Sequence, residues 1–179
     1  MHTPHQRREG TAALATLTAD LATGDQKVQS KAYQQILDLA EQGNAEAMYQ
    51  VARCLRQGLG VATNEDRGDY WLRRACATNP ASLHALLVLG MQHYLMQRPE
   101  SNPEQGLEMI ERAAAAGLPI AVVKLSKLFE SGGAMFAPSV LKAYRVLANA
   151  CGERADQSVI DAYMDFVQRH APITNLLDS

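Results

Sequence analysis

Apolar residues recur at helical spacing in short blocks separated by turn residues, most plainly between Asn44 and Leu83. Ala47, Val51, Ala52 and Leu55 fall at i, i+4, i+5 and i+8, one stripe of an α-helix, while Glu46, Gln50, Arg53 and Gln57 occupy other faces. Gly58 and Gly60 tolerate positive φ and end that helix. Asn64, Glu65 and Asp66 then place acceptors and negative charge where a second helix begins. This second helix is predicted from about Glu65 to Thr78, with bulky Tyr70 and Trp71 followed by small Ala75 and Cys76, and Asn79-Pro80 stops it. One such hairpin cannot bury both of its apolar faces, so units of this kind stack.

The same spacing returns along the chain. Ala32, Gly68, Gly106 and Ala143, each three residues before the bulky-contact position of a second helix, are 36, 38 and 37 apart. The pairs Leu39-Ala40, Ala75-Cys76, Ala113-Ala114 and Ala150-Cys151 keep the same separations. Ala47, Ala85 and Ala121 start the first helices, and Val51-Ala52, Leu89-Gly90 and Leu125-Ser126 supply a large-then-small step that marks where helix backbones come closest. Helices are also predicted over Thr11 to Ala22, Val28 to Gln42, Ala85 to Met96 and Asp156 to His170. The last presents Val159, Ile160, Tyr163, Phe166 and Val167 and is expected to cap the stack. Asn102 is expected to cap a helix whose first turn holds Pro103. In the segment SGGAMFAPS, Met135 and Phe136 read either as a staple folded onto the core or as an exposed anchor. The organisation that follows is a flexible segment over residues 1–10, one helical-repeat domain over 11–170, and a tail over 171–179 whose Ile173, Leu176 and Leu177 are candidates to fold back.

Composition narrows the class. Of the 179 residues 47% are hydrophobic and only 6% aromatic, and Ala-rich runs recur, which favours close-packed helices and an all-α protein. A formal charge of -2 gives no global positive excess to hold a phosphate backbone, so nucleic acid is not an expected partner. No apolar signal core opens the chain and no run reaches membrane-spanning length, so membrane insertion is not expected and a cytoplasmic location is, unless an export signal has been trimmed away. Cys54, Cys76 and Cys151 are an odd number without CxxC spacing and read as small buried thiols.

The residues Ala47, Val51, Ala52, Leu55, Gly58, Gly60, Val61, Gly68, Trp71, Arg74 and Ala75 spell a pattern that resembles the Sel-1-like repeat, a relative of the tetratricopeptide repeat. The match is best in that unit, recognisable in the units ending at Gly117 and Gly152, partial in the first, and spans roughly two thirds of the chain. The resemblance implies a right-handed α-solenoid of antiparallel helix pairs, about four repeats plus a C-terminal capping helix. It also implies an adaptor or scaffold that binds proteins or peptides on its concave side; small bacterial relatives act as regulators, as assembly partners of envelope or secretion systems, or as immunity proteins that block a toxin. Cysteine-rich secreted relatives pair a Cys at the positions of Cys76 and Cys151 with one at the start of the next first helix. Ala85 stands there after Cys76, which favours a reducing location.

Candidate chemistry is sparse. His2, His5, His84, His93 and His170 are scattered and form no HExxH, so no metal site is expected. His93 reads as a packing residue with one satisfied nitrogen. Ser126 and Ser139 lack a nucleophile elbow, and Glu65, Asp66 and Asp69 are explained by capping. No catalytic residue and no cofactor is nominated, and an enzyme with an inter-helix pocket is the outlying reading. For a partner, Tyr49, Arg53 and Arg56 of one first helix, Leu87, Met91 and Tyr94 of the next, and Lys124 and Lys127 of the third are the candidate contacts. They would suit a protein or peptide with acidic residues around an apolar anchor. The helix from Ala85 to Met96 is apolar nearly all round, which fits equally a buried middle of the stack.

Overall fold

The computed structural model describes residues 13–171 other than 98, 134 and 153, so the expected flexible start and nearly all of the tail lie outside the described residues. Helix α1 covers residues 13–20. It is followed by α2 (Gln26–Glu41), α3 (Ala45–Gln57), α4 (Glu65–Ala77), α5 (Leu83–Tyr94), α6 (Pro103–Ala115), α7 (Pro119–Ser131), α8 (Val140–Ala150) and α9 (Gln157–Arg169). Among the described residues all regular elements are helical, apart from an isolated bridge between Gly133 and Phe136. The chain divides into two compact units, with the boundary between Ala85 and Leu86 inside α5.

Local chemistry sets the helix ends. The side chains of Asp25, Asn44, Asn64, Asn102, Ser139 and Asp156 accept backbone N–H groups at the starts of α2, α3, α4, α6, α8 and α9, satisfying donors that have no partner inside the helix. Pro103 stands in the first turn of α6 as expected; α7 also starts with a proline, Pro119, but has no side-chain cap. Gly58 closes α3 in the left-handed conformation, its N–H bonded to the Cys54 carbonyl. Glu65 and Asp66 sit in the first turn of α4, where the helix dipole favours them. Asp69 does not fit that explanation: one turn further on, it lies inside the protein at 9% exposure.

In the first unit, α2 packs on α3 and α3 on α4. Ile36, Ala40, Val51, Cys54, Leu55, Leu72 and Ala75 form the interior. The turn after α3 is pressed onto α2, where Ser30 Oγ donates to the Gly60 carbonyl at 3.0 Å. Gly60 holds φ +70, and a Cβ there would lie 2.3 Å from the Gln29 carbonyl oxygen, so the turn needs glycine for both conformation and space.

In the second unit, α7 packs on α6, α8 and α9, and α8 packs on α9. Phe136 folds back onto Phe129 and Tyr94, with ring centroids 5.2 and 6.4 Å apart, which is the staple expected of it, while Met135 is exposed. At the far end Glu130 of α7 accepts from Arg169 and from His170 Nε2 (2.8 Å), clasping the end of α9 to α7 over the buried Phe166 ring. Both contacts hold the Glu130 carboxyl below its ordinary range, outweighing a partial burial that pushes the other way.

The small-residue seams are where the spacing places them. Ala52 meets Gly68, whose Cβ would lie 3.3 Å from the Ala52 carbonyl oxygen. Gly90 meets Gly106, with a Cβ at Gly106 only 2.6 Å from the Gly90 carbonyl oxygen. Ser126 Oγ donates to the Ala143 carbonyl at 3.3 Å. In each hairpin the small member of the first helix touches the small position of the second, and Ala32 at the matching position of α2 is buried as well. The following pair is less regular. Ala75 and Ala113 are buried, but in α2 the buried member is Ala40 rather than Leu39, and Ala150-Cys151 is only half-buried where α8 ends at Ala150, the first member of the pair. A firmer register was overlooked: Ile36, Leu72, Ile110 and Leu147, four residues after each small position, are all buried.

Candidate functional site

The outer face of α3 is set by the stripe of half-buried Glu46, Tyr49 and Arg53 and exposed Arg56, at i, i+3, i+7 and i+10, opposite the buried Val51, Leu55 and Met48. Ser82 and His84, just before and at the start of α5 and still in the first unit, reach this face. Ser82 Oγ donates to Glu46 Oε2 at 2.7 Å while accepting the Ala85 N–H at 3.2 Å, so one hydroxyl both caps α5 and holds the carboxylate. His84 Nδ1 lies 3.1 Å from Glu46 Oε1, and Gln50 Nε2 donates to the same oxygen at 3.3 Å. The His84 ring stacks on Tyr49 with centroids 5.3 Å apart and planes 18° apart.

Three donors therefore converge on one carboxylate. Burial alone would raise the Glu46 carboxyl, but the hydrogen bonds from His84, Ser82 and Gln50 outweigh it and hold it below 4.5. The bond to Glu46 raises His84 above 6.5, against opposing contributions from partial burial and from the Arg53 charge. The two shifts fix a pH window for stability. A lowered carboxylate contributes above its unfolded pKa near 4.5 and loses that contribution as pH falls through the folded value. A raised histidine contributes below its unfolded pKa near 6.5 and loses it as pH rises through the folded value. The pair is thus worth most between these two values. Both side chains are more than a third exposed, at 45% and 35%, so screening limits the effect to about 1 kcal/mol or less. Melting temperature against pH is expected to fall above neutrality in the wild type more than in His84→Gln; parallel curves would show that the pair contributes nothing.

Ser82, His84 and Glu46 have the composition of an acyl-transfer triad without its order. The imidazole of such a triad takes the hydroxyl proton, whereas here the hydroxyl and the imidazole both donate to the carboxylate. The arrangement is a structural anchor with an aromatic face. His84 Nε2 makes no hydrogen bond among the described residues, and the Nε–H of half-buried Arg53 is enclosed with no acceptor among them.

The other candidate contacts divide by exposure. Arg56 is exposed and lays its aliphatic stem over Gly68, and Lys124 and Lys127 are exposed on α7. Met91 is half-buried. Leu87 and Tyr94 are core residues at 4% and 6% exposure, which corrects their assignment to a contact surface. Ala85, Leu86, Leu87, Gly90, Gln92 and Tyr94 are buried over most of the circumference of α5, leaving His84, Val88 and Met91 on a half-buried face, so most of its apolarity belongs to the interior. Gln50 is likewise buried although it lies off the apolar stripe. His93 behaves as its position suggests, its Nδ1 accepting the Asn102 N–H at 3.1 Å. The grouping of Glu46 with His84 was overlooked, yet the spacing held a signal. Aligning Ala47 with Ala85 puts Glu46 and His84 at the same position of successive repeats, and such positions become neighbours when repeats stack.

Helical hairpins joined through small-residue seams define an all-α helical-repeat protein. The Sel1 repeat family matches this chain at residues 45–78 and 83–118, the hairpins α3–α4 and α5–α6. These two stretches match the Sel1 repeat, whose fold is generally a protein–protein interaction module. A Sel1 repeat protein from Oxalobacter formigenes is similar to it at 24% identity with a TM-score of 0.57, covering 74% of this chain and 96% of that one. A protective antigen present in uropathogenic Escherichia coli strains and displaying an SLR fold is similar at 14% identity with a TM-score of 0.59, covering 80% of this chain and 34% of that one. These likenesses establish the α-solenoid fold class. None of the curated proteins matches the sequence.

Proposed function

We propose that this chain is a non-catalytic adaptor or regulatory binder that takes an acidic protein or peptide segment on the outer face of α3. The carrying observation is the charge balance of that face. Glu46 is saturated by three donors, and Tyr49, Arg53 and Arg56 stand beside it with a stacked aromatic pair as an apolar platform. Met91 on α5 and the exposed Lys124 and Lys127 on α7 supply apolar and basic contacts of the same kind in the second unit. An immunity protein that blocks an acidic toxin surface is the runner-up, and would use the same contacts. Cys54, Cys76 and Cys151 form no disulfide among the described residues, which suits a reducing compartment, and we assign the chain to the cytoplasm.

An array of acidic peptides with apolar anchors, probed with the full chain and with Arg53→Glu, tests this reading. Reversing one charge beside a bound carboxylate is expected to weaken capture about tenfold or more, close to 1.4 kcal/mol, with little change in melting temperature. Equal capture by the variant, or no capture from the array at all, overturns the assignment of the α3 face.

A further inference from the structure

We infer that His84 and Arg53 form a carboxylate-binding subsite that is switched by protonation of His84, so that acidic ligands are held in mildly acid or neutral solution and released as pH rises. The inference rests on the docking reading above and adds its ligand group and its control. His84 offers Nε2 on the side of the ring away from Glu46, because Nδ1 is committed to the Glu46 carboxylate at 3.1 Å. That commitment fixes the ring orientation, as does the stack on Tyr49, so the free nitrogen is held in place before a ligand arrives. Arg53, one turn along α3 from Tyr49, is close enough for its charge to act on both Tyr49 and His84, and it carries a buried Nε–H with no acceptor among the described residues. An enclosed donor without an acceptor costs stability that a bound carboxylate can recover by rearranging the guanidinium.

The groups that face His84 set the sign. From α3 these are Glu46, Tyr49 and Arg53, with Arg56 acting on Tyr49, and from its own segment Ser82, which is spent on Glu46. With neutral His84, the Arg53 charge balances that of Glu46; the imidazolium adds one positive charge. It also turns Nε2 from an acceptor, which repels a carboxylate, into a donor that binds one. His84 lies above 6.5, so the change falls where aspartate and glutamate in a ligand stay fully ionised, and any pH dependence belongs to the protein.

The test is fluorescence anisotropy of the tightest peptide from the acidic array, labelled with fluorescein, against the full chain at constant ionic strength. Affinity is expected to be about three- to tenfold tighter at low than at high pH across the titration, the range for one added charge a few ångströms from a surface carboxylate. The midpoint is expected above 6.5. His84→Gln is expected to bind at the weaker level with no pH dependence, and Glu46→Gln to move the midpoint down. Should either variant fold poorly, the His84 imidazole titration in the wild type, followed by NMR, gives the same answer: bound peptide raises its pKa. A flat affinity profile, a slope retained in His84→Gln, or an imidazole pKa indifferent to peptide each overturns the switch. A flat profile that still collapses in Arg53→Glu removes the switch alone, whereas indifference to Arg53→Glu removes the docking site itself.

Discussion

Replacing Trp71 with alanine is expected to cost about 3–5 kcal/mol of unfolding free energy, among the largest losses available from a single truncation in this chain. Trp71 is the one tryptophan of the sequence and is 6% exposed, so nearly all of its area is withdrawn from water. The indole lies beneath the Arg74 guanidinium at 4.9 Å and beside the Tyr70 ring at 5.6 Å, contacts that add to the burial. Its cavity would close poorly. The small residues Gly68 and Ala75 of the same helix already hold α4 as near to α3 as the backbones allow, so the helices cannot collapse further to fill the space. Urea unfolding followed by circular dichroism measures the loss. Tyr70→Ala is the internal comparison: at 56% exposure it should lose far less. Similar losses for the two would mean that Trp71 is not the core residue described.

Gly106→Leu is expected to cost about 3 kcal/mol or more, and Gly106→Ala to destabilise as well, against the intrinsic preference of a helix for alanine over glycine by about 1 kcal/mol. The reversal of sign is the informative part. A Cβ at Gly106 would sit 2.4 Å from the Tyr94 backbone nitrogen and 2.6 Å from the Gly90 carbonyl oxygen, and neither is the end of a flexible side chain that could move aside. Helices α5 and α6 would have to separate, with loss of the contacts around Met109 and Ile110. Melting temperatures of the two variants measure this. A stabilised alanine variant would show that the helices are not in backbone contact.

Much of the fold was legible because small residues and caps leave marks that depend on one position at a time. The steps Val51-Ala52, Leu89-Gly90 and Leu125-Ser126 place the seams correctly, and Asn64 and Asn102 announce their helices. The contact surface was harder to read. Leu87 and Tyr94 lie on α5, whose apolar residues face every direction, and periodicity cannot separate an exposed apolar centre from a buried one when no polar face is left to orient the helix. The Glu46 to His84 anchor depends on two residues 38 positions apart and on which repeat stacks on which, so no local pattern reports it. The orphan Arg53 donor is a property of packing alone.

Hydroxyl-radical footprinting of the full chain, with and without the acidic peptide that it captures best, tests the docking face most directly. Tyr49 and Tyr70 serve as paired reporters, the first on the α3 face beside His84 and the second exposed on α4. Oxidation of Tyr49 and His84 is expected to fall on binding while that of Tyr70 stays constant. Protection of Tyr70 with Tyr49 and His84 unchanged would contradict the account and move the partner to the other helix of the hairpin.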